Sequence, residues 1–239
     1  MTNLRNDKDF DLKNNKDRDR MYIRFSPEQK EMFHSIKEHT FTFCEACAGA
    51  GKTLVAVAAM LDMLANDDIG KIVYIQKVSQ RYLQHGFIPG TIEEKTEALW
   101  QPFYDAMLSL GYTPFDVNGM IENGLIVLTT DSTLRGINLK NVGLIVDEAQ
   151  NCDWETLNLI FTRPDDDSHN VMLGDVNQKD NKGRNNVFVE YGDYLANYKD
   201  AKKCYLTKNF RGDFSRYAEQ FVPSYLKQNI ESSTNVAIK

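Results

Sequence analysis

At roughly 150 residues per domain, a chain of 239 residues has room for one large domain or two small ones. Hydrophobic residues at 42% and charged residues at 26% describe ordinary globular material and exclude collagen-like or wholly disordered chains. A net charge of −6 gives no global attraction to nucleic acid or to an anionic membrane, so any polyanion has to meet a local basic patch.

Residues 1–20 carry six basic side chains and five Asp with almost nothing apolar, which reads as a solvated charged tail. That start is too charged for a signal peptide. The longest apolar run, 54–61, is far short of the ~20 residues that span a bilayer, so the expected location is cytoplasmic. A folded domain is expected over 21–230 and a frayed polar end over 231–239. The first helix opens with Ser26 as N-cap, Pro27 at the first helical position and Gln29 at the capping-box position, and runs to about Lys37. Short apolar strands at 40–44, 71–75, 125–129, 142–146, 170–173 and 203–206 then alternate with helical stretches at 52–65, 92–110, 154–161 and 185–195, before a last helix at 214–228. This alternation predicts an α/β fold, a parallel sheet with helices on both faces. The Cys44-x-x-Cys47 spacing has no second pair to complete a zinc site, and Cys44, Cys47, Cys152 and Cys204 make no disulfide framework. The four His show no ligand spacing.

The strongest chemical signal follows the first strand, where Ala46-Cys47-Ala48-Gly49-Ala50-Gly51-Lys52-Thr53 leads into an apolar helix. Small side chains let successive N–H groups surround a phosphate, the helix N-terminus adds a positive dipole end, and Lys52 reaches the terminal phosphates. Thr53 would give its hydroxyl to Mg²⁺. The loop segment Ala48 to Thr53 is thus the expected seat of ATP. Ala46 stands where the usual pattern has its first glycine, and its methyl is tolerated if φ stays negative there. A chance Gly-Lys-Thr in a small-residue turn is the plain alternative. Its flanking strand and helix argue against that, as does the apolar strand ending in Asp147-Glu148-Ala149-Gln150. A carboxylate at the carboxyl end of a neighbouring strand can hold the Mg²⁺ shell, a role for Asp147, while Glu148 polarises the attacking water. A third strand ends in Gly174-Asp175-Val176-Asn177-Gln178, where the Gln178 amide is suited to the γ-phosphate or its water.

Taken together, these motifs resemble the PhoH family of P-loop ATPases, relatives of superfamily 1 helicases, from about Phe25 to Phe221. The specific pieces are Gly86-Phe87-Ile88-Pro89-Gly90 with Glu93-Glu94-Lys95, Leu134-Arg135-Gly136-Ile137-Asn138-Leu139, Asp147-Glu148-Ala149-Gln150-Asn151, Phe161-Thr162-Arg163 and Gly174-Asp175-Val176-Asn177-Gln178. The resemblance implies a single RecA-like P-loop domain that hydrolyses Mg-ATP, with RNA-related and helicase-like activity. Its partner would be single-stranded nucleic acid, RNA before DNA. Gln29 resembles the glutamine that reads adenine in superfamily 1 relatives, although capping explains it as well. Arg135 would touch nucleic acid, couple subunits or form a structural ion pair. Arg163 would link the helix after the acidic motif to the sheet. Two arginines compete for the developing charge on the γ-phosphate: Arg211 in Asn209-Phe210-Arg211 and Arg216 in Asp213-x-x-Arg216, the latter favoured. With one RecA-like domain, that arginine has to fold back or come from a neighbouring subunit, so the expectation is a homo-oligomer, a hexameric ring.

Gln76-Lys77 departs from the Arg-Pro pair usual in the family, which alters a contact there. No nuclease activity is expected, because the domain that precedes the motifs in longer relatives has no counterpart here. Lys179, Lys182 and Arg184, and separately Arg81, Tyr82 and His85, form basic or aromatic stretches suited to phosphates and bases. An ATP-dependent switch or scaffold without unwinding activity, and a small-molecule kinase, are the competing classes of function.

Overall fold

The computed structural model describes residues 16–77, 92–131, 133–178 and 187–221. Six strands form one sheet: β1 (Phe41–Ala46), β2 (Lys71–Gln76), β3 (Ile126–Thr129), β4 (Val142–Asp147), β5 (His169–Gly174) and β6 (Ala201–Leu206). They lie in the order β3-β2-β4-β5-β1-β6, and every neighbouring pair is parallel. Around them run α1 (Lys16–Arg24), α2 (Pro27–Glu38), α3 (Lys52–Ala65), α4 (Ile92–Ser109), α5 (Pro114–Glu122), α6 (Trp154–Phe161), α7 (Val187–Leu195) and α8 (Asp213–Glu219).

Alternate residues of each strand feed opposite faces, as the period of two requires. Ile72 and Tyr74 of β2, Ile145 of β4, and Val171 and Leu173 of β5 join the core under α2, α3, α4 and α5. Val73, Ile75, Leu144, Val146 and Met172 join the core under α6 and α7. Helix α3 is buried on almost every side, with Val55 to Leu61 all inside, because α2 and α4 cover it as well as the sheet. The helix that follows the phosphate loop is therefore anchored along its whole length. The expected α/β architecture, one parallel sheet with helices on both faces, is what the chain adopts.

Three differences from the sequence reading stand out. Helix α1 begins inside the segment read as a solvated tail, because Tyr22 supplies an anchor: its ring lies 5.0 Å from that of Phe33, and its hydroxyl is 2.8 Å from His34 Nε2. Helix α5 was not anticipated, although Thr113 and Asp116 close the same kind of capping box as Ser26 and Gln29. The strand carrying Asp147 does not neighbour the phosphate-loop strand. Strand β5 lies between them, pairing Leu144 with Asn170 on one side and Phe41 with Asn170 on the other. The expected adjacency is corrected by packing: β5 has a buried residue at nearly every position and takes a central place.

Candidate nucleotide site

The loop after β1 is held from below by main-chain bonds, with Cys47 N–H donating to Leu206 O at 2.9 Å and Phe210 N–H to Gly49 O at 3.0 Å. Gly49 and Gly51 have φ of +67° and +79°, the left-handed region where a side chain is strained. A methyl at Gly49 would also lie 2.6 Å from Arg211 Cγ, and one at Gly51 2.8 Å from Gln29 Nε2. Ala46 is the last residue of β1 and its φ is not positive, so the condition for tolerating its methyl is met. Helix α3 starts at Lys52 with no side chain capping it, which leaves first-turn N–H groups free to meet an anion.

Facing the loop, β4 delivers two acids. Lys52 Nζ lies 2.9 Å from Glu148 Oε1, and Thr53 Oγ1 donates to Asp147 Oδ2 at 2.6 Å. Asp147 is only 2% exposed, and its other oxygen accepts the Glu148 N–H at 2.8 Å. Burial drives the Asp147 carboxyl above its ordinary pKa, with the Lys52 charge and the Thr53 hydroxyl offsetting this only in part. For Lys52 burial works against the ammonium, yet the Asp147 and Glu148 carboxylates outweigh it and raise its pKa. Lys52 is therefore a committed cation. Glu148 itself sits at φ +53°, an uncommon conformation for a residue with a side chain and one that gathers at working sites.

Strand β5 completes the edge. Gln150, 1% exposed, donates to Glu148 Oε2 at 2.7 Å and accepts from the Asp175 N–H at 3.2 Å, while Gln178 Nε2 donates to Asp175 Oδ2 at 2.8 Å. One chain of hydrogen bonds thus joins Gln178 to Glu148. The Gln29 carbonyl closes the capping box with the Ser26 N–H at 2.9 Å, and its amide nitrogen donates to Ala50 O at 3.0 Å, which ties α2 to the loop. The two candidate arginines diverge. The stem of Arg211 lies over Gly49, whereas Arg216 pairs with Asp213 and donates to Asn209 O at 3.2 Å.

Arg163 grips the carbonyls of Leu134 and Ile137 at 2.7 and 2.9 Å, a structural link from the end of α6 to that turn. Lys77 pairs with Asp131 at 2.6 Å and reaches Thr156 Oγ1 at 3.2 Å, so it braces three elements. No disulfide joins Cys44, Cys47, Cys152 or Cys204 to another. The Arg135 side chain, the Gly86-to-Gly90 motif and Glu93 to Lys95 side chains, the basic and aromatic stretches around residues 81–85 and 179–184, and the ends at 1–15 and 222–239 lie outside the described residues. Three participants were missed from sequence: Tyr74, whose hydroxyl reaches Asp147; Gln150, quoted in its motif without a role; and the buried Asn209, whose Oδ1 accepts the Arg211 N–H at 2.7 Å. A polar residue inside an apolar run was the one available signal for the first.

A hydroxyl and a carboxylate oxygen 2.6 Å apart form a hard-oxygen pair that fits Mg²⁺. No group of three or more His, Cys, Asp or Glu suited to a metal occurs among the described residues. Water and phosphate oxygens would have to complete the shell, the usual habit of Mg²⁺ with nucleotides. No helix among the described residues is long and apolar enough to cross a membrane.

Residues 23–216 match the profile of the family described as PhoH-like protein. A PhoH-like protein of Synechocystis is 30% identical over 152 residues, covering 64% of this chain and 46% of that one. A PhoH-like protein of Bacillus subtilis is 31% identical over 155 residues, covering 64% and 47%. The chain thus matches less than half the length of these relatives. Among solved structures, the large terminase of a thermophilic bacteriophage superposes with a TM-score of 0.50 at 15% identity, over 84% of this chain and 51% of that one, a likeness of fold.

Proposed function

This chain belongs to the PhoH-like protein family, and on that premise we propose that it binds Mg-ATP at the carboxyl ends of β1, β4 and β5, hydrolyses it, and couples the cycle to remodelling single-stranded nucleic acid, RNA in preference to DNA. The observation that carries the reading is Lys52 and Thr53 meeting Glu148 and Asp147 at bonding distance across the sheet edge. Lys52 exchanges its Glu148 partner for the terminal phosphates, which frees Glu148 to take a proton from the attacking water. The water oxygen bonds to the γ-phosphorus as the β–γ bridging bond breaks, leaving ADP and phosphate. Gln150 holds Glu148 from behind, and Gln178 sits at the far end of the same hydrogen-bonded chain. Thr53 and Asp147 would hold Mg²⁺, which supplies neutralisation of phosphate charge when bound. Gln29 is proposed to keep one amide hydrogen for adenine. Arg211, already against the loop, is the better-placed arginine for the γ-phosphate within one subunit, and Arg216 is left to act from a neighbour in a hexameric ring.

The exposed Phe210, with Lys208 Nζ 5.2 Å from its ring centre, and the exposed Phe214 and Tyr217 support base stacking beside the site. The deciding experiment is the ATPase rate with and without single-stranded RNA and DNA, paired with mass measurement by light scattering. Stimulation by RNA that fades as salt rises is expected, together with a mass of several subunits. A monomer whose turnover ignores both nucleic acids would remove the coupling and the ring.

A further inference from the structure

Strand β2 is apolar at its centre apart from Tyr74, which is wholly buried. Its ring lies 5.1 Å from that of Phe103 and 6.4 Å from that of Trp100, both on α4. Phenylalanine would fill this space equally well, so the hydroxyl needs its own explanation. It donates to Asp147 Oδ2 at 3.0 Å, the same oxygen that Thr53 reaches at 2.6 Å. A second acceptor, Gln76 Oε1, is 3.4 Å away and makes a poor bond.

Asp147 is therefore clamped from three directions: by α3 through Thr53, by β2 through Tyr74, and by the chain itself through the Glu148 N–H. A carboxylate held at one point can swing about its last torsion, whereas donors on both oxygens from separate elements fix its plane. Partners behind a metal-binding group set its orientation and are worth roughly ten- to a hundredfold in metal affinity. We propose that Tyr74 is a positioning residue for the cation: its hydroxyl presets Asp147 for the Mg²⁺ that arrives with the nucleotide. The α4 residues behind the ring hold Tyr74 in turn. This inference rests on the phosphate-site reading above.

The test is ADP binding by calorimetry, once with Mg²⁺ and once with EDTA, in the full chain and its variants. The readout is the factor by which Mg²⁺ tightens ADP. Tyr74→Phe keeps the ring contacts and removes only the donor. It should shrink that factor roughly tenfold and leave the EDTA affinity unchanged. In an Asp147→Asn background the same substitution should do nothing further, because the group it orients is gone. An unchanged factor in Tyr74→Phe, an equal loss in EDTA, or an undiminished effect beside Asp147→Asn would each overturn the role of Tyr74 while leaving the phosphate site standing. A wild-type chain that binds no ADP at all would overturn both.

Discussion

The two ends of the sheet treat their carboxylates in opposite ways. Before β1, Asp200 accepts the Thr40 N–H at 3.1 Å and its hydroxyl at 2.6 Å. Beside the starts of β4 and β5, Asp165 accepts the Ser168 hydroxyl at 2.6 Å and the Asn141 N–H at 2.9 Å. Both are held below the ordinary carboxyl pKa, chiefly by those hydroxyl bonds, so ionisation there favours the fold. At the other end of β4, Asp147 also has hydroxyl and N–H donors, yet burial raises it. The difference lies in solvent rather than in the number of donors. The amino ends use charge to fasten strands where water still helps, while the carboxyl ends keep charge where folding alone gains nothing from it. Buried charges that oppose folding cluster at binding and catalytic sites.

The largest test of that contrast is catalytic. Glu148→Gln should retain nucleotide binding while turnover falls by about a hundredfold or more, the scale expected for losing a positioned base. Asp200→Asn at the opposite end should leave turnover unchanged, as measured by phosphate release under saturating Mg-ATP. Comparable losses in both variants would erase the division between the ends.

Glycines sharpen the same comparison at a smaller scale. Gly49 at the carboxyl end of β1 and Gly124 just before β3 have nearly equal φ, +67° and +71°. A methyl at Gly124 meets nothing within 4 Å, whereas one at Gly49 runs into Arg211 and Asn209. Gly124→Ala should cost only backbone strain, about 1 kcal/mol by denaturant unfolding, with ADP affinity intact. Gly49→Ala adds displacement of the loop and its arginine, and ADP affinity should fall about tenfold or more, the equivalent of roughly 1.4 kcal/mol. Equal binding by the two variants would mean that the loop tolerates reshaping and that its geometry does not set affinity.

The carboxyl end was also the more legible in sequence. An apolar run followed by acids, as at Val142 to Glu148, announces both the strand and where it stops, and Lys52-Thr53 after small residues announces the partner. Side chains that satisfy one another across the sheet gave no such signal. Tyr74 looks like any aromatic in a strand, and Gln150 like any polar residue after one. The place of β5 between β4 and β1 is decided by long-range packing of six similar apolar strands, which no local pattern encodes. Helix α1 likewise depends on Tyr22 finding Phe33 and His34, since its own sequence is mostly charged. Helix α5 is the opposite case, because its Thr113-Pro114 start carried a readable cap.

The smallest effect is the most direct measure of the contrast, because it has a sign at each end. A carboxyl raised in the folded state contributes stability that is complete below its unfolded value, near 3.8, and is lost as pH rises through the folded value. Ionising Asp147 therefore opposes folding of the nucleotide-free protein. Asp147→Asn should raise its Tm slightly, a gain limited because the buried Lys52 loses one of its two carboxylate partners. Asp200 works the other way: its depressed value contributes stability above the ordinary carboxyl range that disappears as pH falls through the folded value. Asp200→Asn should lower Tm at pH 7, and by less, since solvent screens the group. On acidification the wild type becomes protonated at both positions, so the two variants should converge on it from opposite sides. Melting curves carried from pH 7 to well below 3.8, past the depressed Asp200 value, would show this, and a destabilised Asp147→Asn at neutral pH would mean that the Lys52 pairing outweighs burial and that both ends of the sheet use their charges to hold the fold.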